Sequence, residues 1–226
     1  MSETFTWGDV DKDGALQEAA AEVDGDTRAG FLRKAAIGGG AVIAGGAFAG
    51  ALPAIARGQA IPASDIAILN FALTLEYLEA EFYAKAVADG KLTGETLRFA
   101  RVVANHELTH VNFLKRVLGA RAVAKPTFDF KDTTASMAKF QATADVLEFT
   151  GVHAYLGQVA NIKAKPVLVG AGRILPVEAR HSAWIRDIRF SGGTSNVTTP
   201  APAAFEDGFT MQRILQIVQS TGFIVS

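Results

Sequence analysis

The motif Glu-x-x-His occurs twice in this chain and constrains its fold more than any other feature. The copies are Glu107-Leu-Thr-His110 and Glu178-Ala-Arg-His181. Residues three apart lie on one face of a helix, so each Glu can bind the same metal ion as its His. One such motif arises readily by chance. Two copies in matching surroundings are much stronger evidence for a metal site.

The surroundings do match, because each motif follows a segment that carries Glu seven residues before Tyr. These pairs are Glu76 with Tyr83 and Glu148 with Tyr155, and each leading Glu lies about 30 residues before its motif. Paired Glu and Glu-x-x-His motifs on four helices are the ligands of a carboxylate-bridged dimetal centre in a four-helix bundle. The near-equal spacing predicts two helical hairpins with approximate two-fold symmetry and two metal ions side by side. The predicted ligands are Glu76, Glu107, His110, Glu148, Glu178 and His181.

Apolar periodicity separates these ligands from other polar residues. Apolar residues recur with helical spacing around each of the four leading or motif carboxylates, which predicts that the carboxylates face the core. Glu79 falls at the margin of its stripe, and Glu81 points toward solvent. His106 is about 100° off the stripe, which places it beside the site or on the surface. His153 is about 140° from its stripe and is not predicted to be a ligand.

Caps and breakers predict an all-α fold: a four-helix bundle with a long crossover between helices 2 and 3, followed by a short C-terminal helix. Pro62–Asp65 offers an N-cap for the first helix. Pro176 is expected to kink the fourth, and Phe128 and Phe130 to hold the crossover against the bundle. The predicted helices are 65–88, 93–118, 138–163, 165–189 and 210–220, with the crossover at 119–137 and a loop at 191–204.

Composition limits the chemistry. The chain has no cysteine, so thiolate zinc and iron–sulfur sites are excluded and any metal must be held by oxygen and imidazole nitrogen. Such ligands suit iron first and manganese second, with zinc as a further alternative. The net charge of −1 gives no indication of nucleic acid as a partner.

The first 60 residues differ from the rest. Residues 1–27 are acidic and predict a disordered arm, whereas 28–60 combine Arg28 and Phe31–Lys34 with an uncharged run and small-residue cleavage sites. This resembles a twin-arginine export signal in which Ala29 replaces the second Arg. Residues 35–56 could instead remain as a membrane anchor or form a buried Gly/Ala helix. The bundle at 61–190 and the loop and helix at 191–226 complete the predicted organisation.

Several segments resemble the exported bacterial ferritin-like domain family, sometimes labelled desiccation-related. They are Leu75–Tyr83, both Glu-x-x-His motifs and Gly151–Gly157, within a resemblance that covers about residues 62–190. The wider superfamily includes ferritins, bacterioferritins, rubrerythrins and manganese catalases. The resemblance implies the six ligands already given, and it implies that Tyr83 and Tyr155 act beside them. Under it, Glu107 and Glu178 would bridge two metal ions.

These features support two hypotheses of different classes. In the first, a di-iron centre in the cell envelope oxidises Fe(II) or removes O2 or H2O2, with manganese-catalase-like activity as a variant. In the second, the chain is a stress- or desiccation-protective envelope protein whose metals only stabilise the bundle. The expected location is periplasmic or cell-surface, or membrane-anchored if the signal is retained. A homo-oligomer, formed through the acidic arm or the last helix, is a further expectation.

Overall fold

Helices make up the regular structure in the computed structural model, which describes residues 60–190 and 199–225. Within those ranges there are five α-helices and no extended strand. The predicted all-α class is therefore confirmed. The helices are α1 Ala63–Ala88, α2 Gly94–Leu118, α3 Met137–Val159, α4 Lys165–Phe190 and α5 Met211–Thr221.

Short connections arrange the four long helices as two hairpins. Only 89–93 join α1 to α2, and only 160–164 join α3 to α4. Gly90 takes a left-handed φ of 67°, which glycine adopts without steric cost and which allows the chain to reverse. Most inter-helix contacts are accordingly between α1 and α2 and between α3 and α4. Each hairpin thus contains one Glu-x6-Tyr segment and one Glu-x-x-His motif.

Two helix ends differ from the prediction by more than one residue, the start of α1 and the end of α3, and Asp65 bears on both. Helix α1 begins at Ala63 after Pro62, with no side-chain cap, so Asp65 does not cap it. The buried Asp65 carboxylate instead accepts hydrogen bonds from the backbone N–H groups of Lys163, at 3.1 Å, and Ala164, at 2.8 Å. These bonds hold the chain outside a helix just before α4. Helix α3 consequently ends at Val159, four residues before the predicted end.

The crossover follows the prediction more closely. After a 3-10 turn at Gly119–Arg121, the chain runs without regular structure to α3. Phe130 is buried in the core, and Phe128 packs against both core clusters and pairs with Ile224 in an isolated antiparallel bridge. The crossover therefore lies against the bundle and the C-terminal segment. Thr210 caps α5 by accepting from the N–H of Arg213 at 3.2 Å.

The hydrophobic core forms two clusters, and the carboxylates lie between them along α2 and α4. On α2, Glu107 and His110 lie between apolar residues of the two clusters. Those of one cluster are Phe99, Ala100 and Val103, and those of the other are Val111, Phe113, Leu114, Val117 and Leu118. On α4, Glu178 and His181 similarly separate Ile174 from Ile185. The site is thus enclosed by apolar packing at both ends. Helix α4 continues through Pro176; the kink there stays a prediction.

Some predictions fall on other parts of the chain. The acidic arm at 1–27, the export or anchor segment at 28–59 and part of the loop, 191–198, lie outside the described residues. In the ranges that are described, no helix combines the length and apolar character needed to span a bilayer.

Candidate metal centre

Three carboxylates from three helices converge on His110. Its Nδ1 lies 3.0 Å from Glu107 Oε2, 3.2 Å from Glu76 Oε2 and 3.2 Å from Glu178 Oε1. A single N–H cannot donate well to three acceptors, whereas a metal ion readily accepts several oxygen ligands and one imidazole nitrogen. We call this group the first position.

A second group forms around His181. Its Nδ1 lies 3.0 Å from Glu107 Oε1 and 3.2 Å from Glu148 Oε2. The two oxygens of Glu107 therefore approach different histidines, which is the arrangement of a carboxylate that bridges two metal ions. We call this group the second position.

Each position offers four donor atoms that lie within 4.8 Å of one another. Glu107 and Glu178 belong to both positions, as bridging residues must. All six residues are at most 3% exposed. The first position comprises Glu76, Glu107, His110 and Glu178, and the second comprises Glu107, Glu148, Glu178 and His181.

Two tyrosines orient the carboxylates that belong to one position only. The Tyr83 hydroxyl donates a hydrogen bond to Glu148 Oε1, and the Tyr155 hydroxyl donates to Glu76 Oε1. Each phenol thus crosses from one hairpin to the other. The second oxygen of each carboxylate is left facing a histidine.

The polar atoms of the site fit metal ions better than they fit one another. Among the described residues, several fully buried side-chain atoms make no hydrogen bond although oppositely charged groups lie nearby. Most of them belong to the two positions: Glu107 Oε1, Glu148 Oε2, Glu178 Oε1, Glu178 Oε2 and His181 Nδ1. Unsatisfied buried polar atoms are costly, and a bound cation is a common reason for them. The donor set, oxygen with imidazole nitrogen, is one that iron and manganese accept.

Comparison with protein families agrees with this site. A sequence model of the ferritin-like domain family matches residues 64–191. The chain belongs to this family. The matched range of this ferritin-like chain contains all four long helices and every residue of both positions. Comparison with curated proteins gives no match.

Burial and mutual repulsion are the main influences on the pKa values of the carboxylates in this ferritin-like site. Burial raises the pKa of Glu107 well above its usual range, and Glu178 and Glu76 raise it further. Burial raises the pKa of Glu178 to about 7, against the opposing attraction of the nearby His110 imidazole. Burial is the largest single influence on Glu76 and opposes its ionisation, but the charge of His110 and the hydrogen bonds from His110 and Tyr155 together outweigh it and lower the pKa of Glu76. Without metal, the site therefore retains protons at neutral pH.

The histidines hold protons for the same reason. Burial lowers the pKa of both imidazoles, but neighbouring carboxylates outweigh it. The pKa of His110 rises far above its ordinary value, chiefly through Glu76, and that of His181 rises to about 11, chiefly through Glu148. Metal ions must displace these protons, because only a neutral imidazole nitrogen binds a metal. Protons and metals are thus alternative counterions in the site.

The sequence predictions for this site have mixed outcomes. The structure brings all six predicted ligands together and places Tyr83 and Tyr155 beside them, although metal binding by each residue stays a prediction. His153 belongs to neither position and instead stacks on Phe209. Glu81 is partly exposed and pairs with Lys125, as its solvent-facing position predicted. The family-level prediction is confirmed, whereas export and desiccation stay predictions.

His106 lies beside the site, one of the two places predicted for it. Its Nδ1 is 2.8 Å from His181 Nε2, and the two rings stack with centroids 5.1 Å apart. Burial lowers the pKa of His106, and repulsion from His181 lowers it further, so His106 is neutral. A neutral Nδ1 can accept the Nε2 proton of His181, which leaves His181 Nδ1 free to face the carboxylates.

Glu79 is the residue that sequence reasoning placed least well. It was expected at the margin of the apolar stripe, yet it is only 3% exposed. Burial raises its pKa well above the usual range, and repulsion from Glu178 and Glu148 raises it further. A signal was present in the sequence, because Glu79 follows Glu76 by three residues and can share its face.

Proposed function

We propose that this ferritin-like protein holds two metal ions, iron first and manganese second, and oxidises Fe(II) or removes peroxide or O2 in the cell envelope. The observation that carries the proposal is the pair of overlapping donor sets with Glu107 divided between two histidines. Two divalent cations would balance the four carboxylates that the sets contain. A redox-active metal pair at this spot would supply the electrons that O2 or peroxide accepts.

The residues around the metals would control protons and water. Burial and neighbouring carboxylates raise the pKa of Tyr83 and of Tyr155 well above the usual range, so both phenols stay protonated. Each phenol holds its proton against Glu148 or Glu76 and fixes the orientation of that carboxylate. The apolar clusters on either side exclude water, which strengthens these electrostatic interactions.

Placement in the envelope is supported by the N-terminal sequence. Arg28 and Phe31–Lys34 precede the uncharged segment 35–56, which together resemble an export signal. The protein would then act in the periplasm or at the cell surface, free or tethered through 35–56. Fusion of residues 1–60 to a reporter that is active only after export tests this part separately.

Metal content and oxidant reactivity test the activity. The full-length protein is purified from its native compartment, analysed by plasma mass spectrometry, emptied, loaded anaerobically with Fe(II) and pulsed with O2 or H2O2. We expect about two metals per chain and rapid formation of ferric absorbance. Glu81→Gln is the matched control for Glu76→Gln, because Glu81 lies on the same helix but outside the site. Two tightly held metals that ignore both oxidants would contradict the activity.

A second candidate function is a protective envelope protein with a structural metal site. The observation favouring it is burial: the six predicted ligands are 0–3% exposed, as in structural sites that leave no position open. The two candidates differ in oxidant chemistry alone, since both predict that metal stabilises the bundle. A loaded protein that melts at a higher temperature yet consumes no oxidant would select this candidate.

A further inference from the structure

Glu79 lies against the predicted metal ligands without belonging to either position. Its Oε1 is 3.3 Å from the point that a Cβ on Gly151 would occupy, and Glu178 Oε2 is 3.0 Å from the same point. Both carboxylates therefore lie beside the backbone of α3 at Gly151. Glu79 is on α1, three residues after Glu76, so it reaches this point from the opposite hairpin.

The two hairpins are unequal here. Glu79 follows Glu76 by three residues, and the residue that follows Glu148 by three is Gly151. A glycine inside a helix costs about 1 kcal/mol relative to alanine, so its presence in α3 calls for a reason. The reason is space, because a Cβ at this position would crowd both carboxylates. Gly151 thus makes room for Glu79, an acidic side chain that has no counterpart on α3.

In the described part of the chain, no cationic side chain compensates the charge of Glu79. Among the described residues it makes no hydrogen bond and no ion pair, and its charged neighbours are carboxylates. Glu178 presents its Oε2 on the side of Gly151 and Glu79, whereas its Oε1 lies against His110 of the first position, so Glu79 lies on the side away from His110. A carboxylate buried among carboxylates requires a cation.

We infer that Glu79 is a seventh metal ligand that serves the second position. This inference rests on the proposed dimetal centre, and it gives the two metals different numbers of ligands. The second position gains a carboxylate donor that the first position lacks. Extra oxygen ligands favour iron and manganese over zinc, which is most often four-coordinate in proteins. Glu79 thus contributes to the selection of the metal as well as to its affinity.

Stepwise metal binding tests this assignment. Metal-free full-length protein is titrated with Mn(II), and separately with Zn(II), by calorimetry. The variant Glu79→Gln removes the charge while retaining the shape, and Glu81→Gln makes the same change on the same helix at the surface. We expect the wild-type protein and Glu81→Gln to bind two ions. Glu79→Gln should lower the affinity for one of the two Mn(II) ions by at least about tenfold, and the loss of affinity should be smaller for Zn(II).

Folding is monitored by circular dichroism of the metal-free proteins. If Glu79→Gln does not fold, Glu79→Asp takes its place, because it keeps the charge but shortens the reach and should show the same selective loss. Wild-type-like binding of both ions, or an equal loss at both, would overturn the role of Glu79 while leaving the dimetal centre intact. Failure of the wild-type protein to bind any ion would overturn the centre itself, and this inference with it.

Discussion

The α1–α2 hairpin and the α3–α4 hairpin carry the same four groups in the same order, a Glu, a Tyr and a Glu-x-x-His motif, yet they differ at two positions beside the site. Glu79 on α1 corresponds to Gly151 on α3, and His106 on α2 corresponds to Val177 on α4. Both additional polar residues belong to the first hairpin. Both nevertheless approach the second metal position, Glu79 through Glu178 and His106 through His181.

This difference would allow a nearly symmetric site to bind two metals with unequal affinity. The repeated ligands define two positions, because each hairpin contributes a Glu, a Tyr and a Glu-x-x-His motif. Side chains that cross between hairpins then act on the opposite half, as Tyr83 and Tyr155 do symmetrically and Glu79 and His106 do on one side only. The experiments below remove first what the halves share and then what distinguishes them.

Removing both metals should have the largest effect on stability. A ligand present at 1,000 times its Kd stabilises a folded protein by about 4 kcal/mol, so chelation should lower the free energy of unfolding by a comparable amount. Thermal unfolding with and without a chelator measures this difference. An unfolding temperature that the chelator does not change would contradict metal binding by either half.

The pH dependence of the metal-free protein sharpens that test. Glu178 and His181 hold their protons more tightly when folded, with pKa values of about 7 and about 11. Their stabilisation is complete below the ordinary values of 4.5 and 6.5 and is lost as the pH rises through these higher values. Metal-free protein should therefore become less stable between about pH 5 and pH 9, whereas metal-loaded protein should not. A metal-free form that gains stability with pH would contradict the assignment.

Substitution of a predicted bridging residue should have the next largest effect on metal binding, because such a residue belongs to both positions. Glu107→Ala removes one oxygen donor from each position, and we expect weaker binding of both metals, by about 3 kcal/mol in total. Glu148→Ala is the comparison variant, since Glu148 belongs to the second position alone. Calorimetric titration distinguishes the two. An effect of Glu107→Ala on a single metal would show that Glu107 does not bridge.

The sequence predicts the common part of the two hairpins better than it predicts their differences. Helical periodicity predicts which carboxylates face the core, because each lies within an apolar stripe, and the structure brings the six predicted ligands together. Glu79 lies at the edge of its stripe, and only the packing of α1 against α3 across Gly151 reveals that it is buried. The end of α3 was similarly missed, because Asp65 binds residues 163 and 164 from nearly 100 positions away in the chain.

The space at Gly151 offers a test of the difference itself. Gly151→Ala places a Cβ 3.0 Å from Glu178 Oε2 and 3.3 Å from Glu79 Oε1, so both carboxylates must shift. We expect the second metal to bind about 10-fold to 100-fold more weakly. Gly172→Ala is the matched control, because its Cβ would meet no atom within 4 Å. Equal titration curves for the two variants would show that the space at Gly151 is not needed for binding of the second metal.

The two tyrosines test the remaining symmetry. Tyr83→Phe frees one oxygen of Glu148, and Tyr155→Phe frees one oxygen of Glu76, each buried and charged in the loaded protein. A hydrogen bond to a charged group contributes about 1.5–3 kcal/mol, so each variant should weaken the binding of one metal by about 10-fold to 100-fold. The Tyr83 variant should affect the second position and the Tyr155 variant the first. Loss at the same position in both variants would contradict the crossed arrangement.

His106 should give the smallest effect and the most selective one. His106→Phe keeps an aromatic ring against His181 but removes the acceptor of its Nε2 proton, so His181 no longer has a fixed tautomer. We expect about tenfold weaker binding at the second position, with no change at the first, because Val177 offers His110 no equivalent acceptor. His106→Asn, which retains a hydrogen-bond acceptor, should recover part of the affinity. Since Glu79 is assigned to the same position, Glu79→Gln and His106→Phe should weaken the same metal ion. Losses at different ions would show that the two asymmetries act independently.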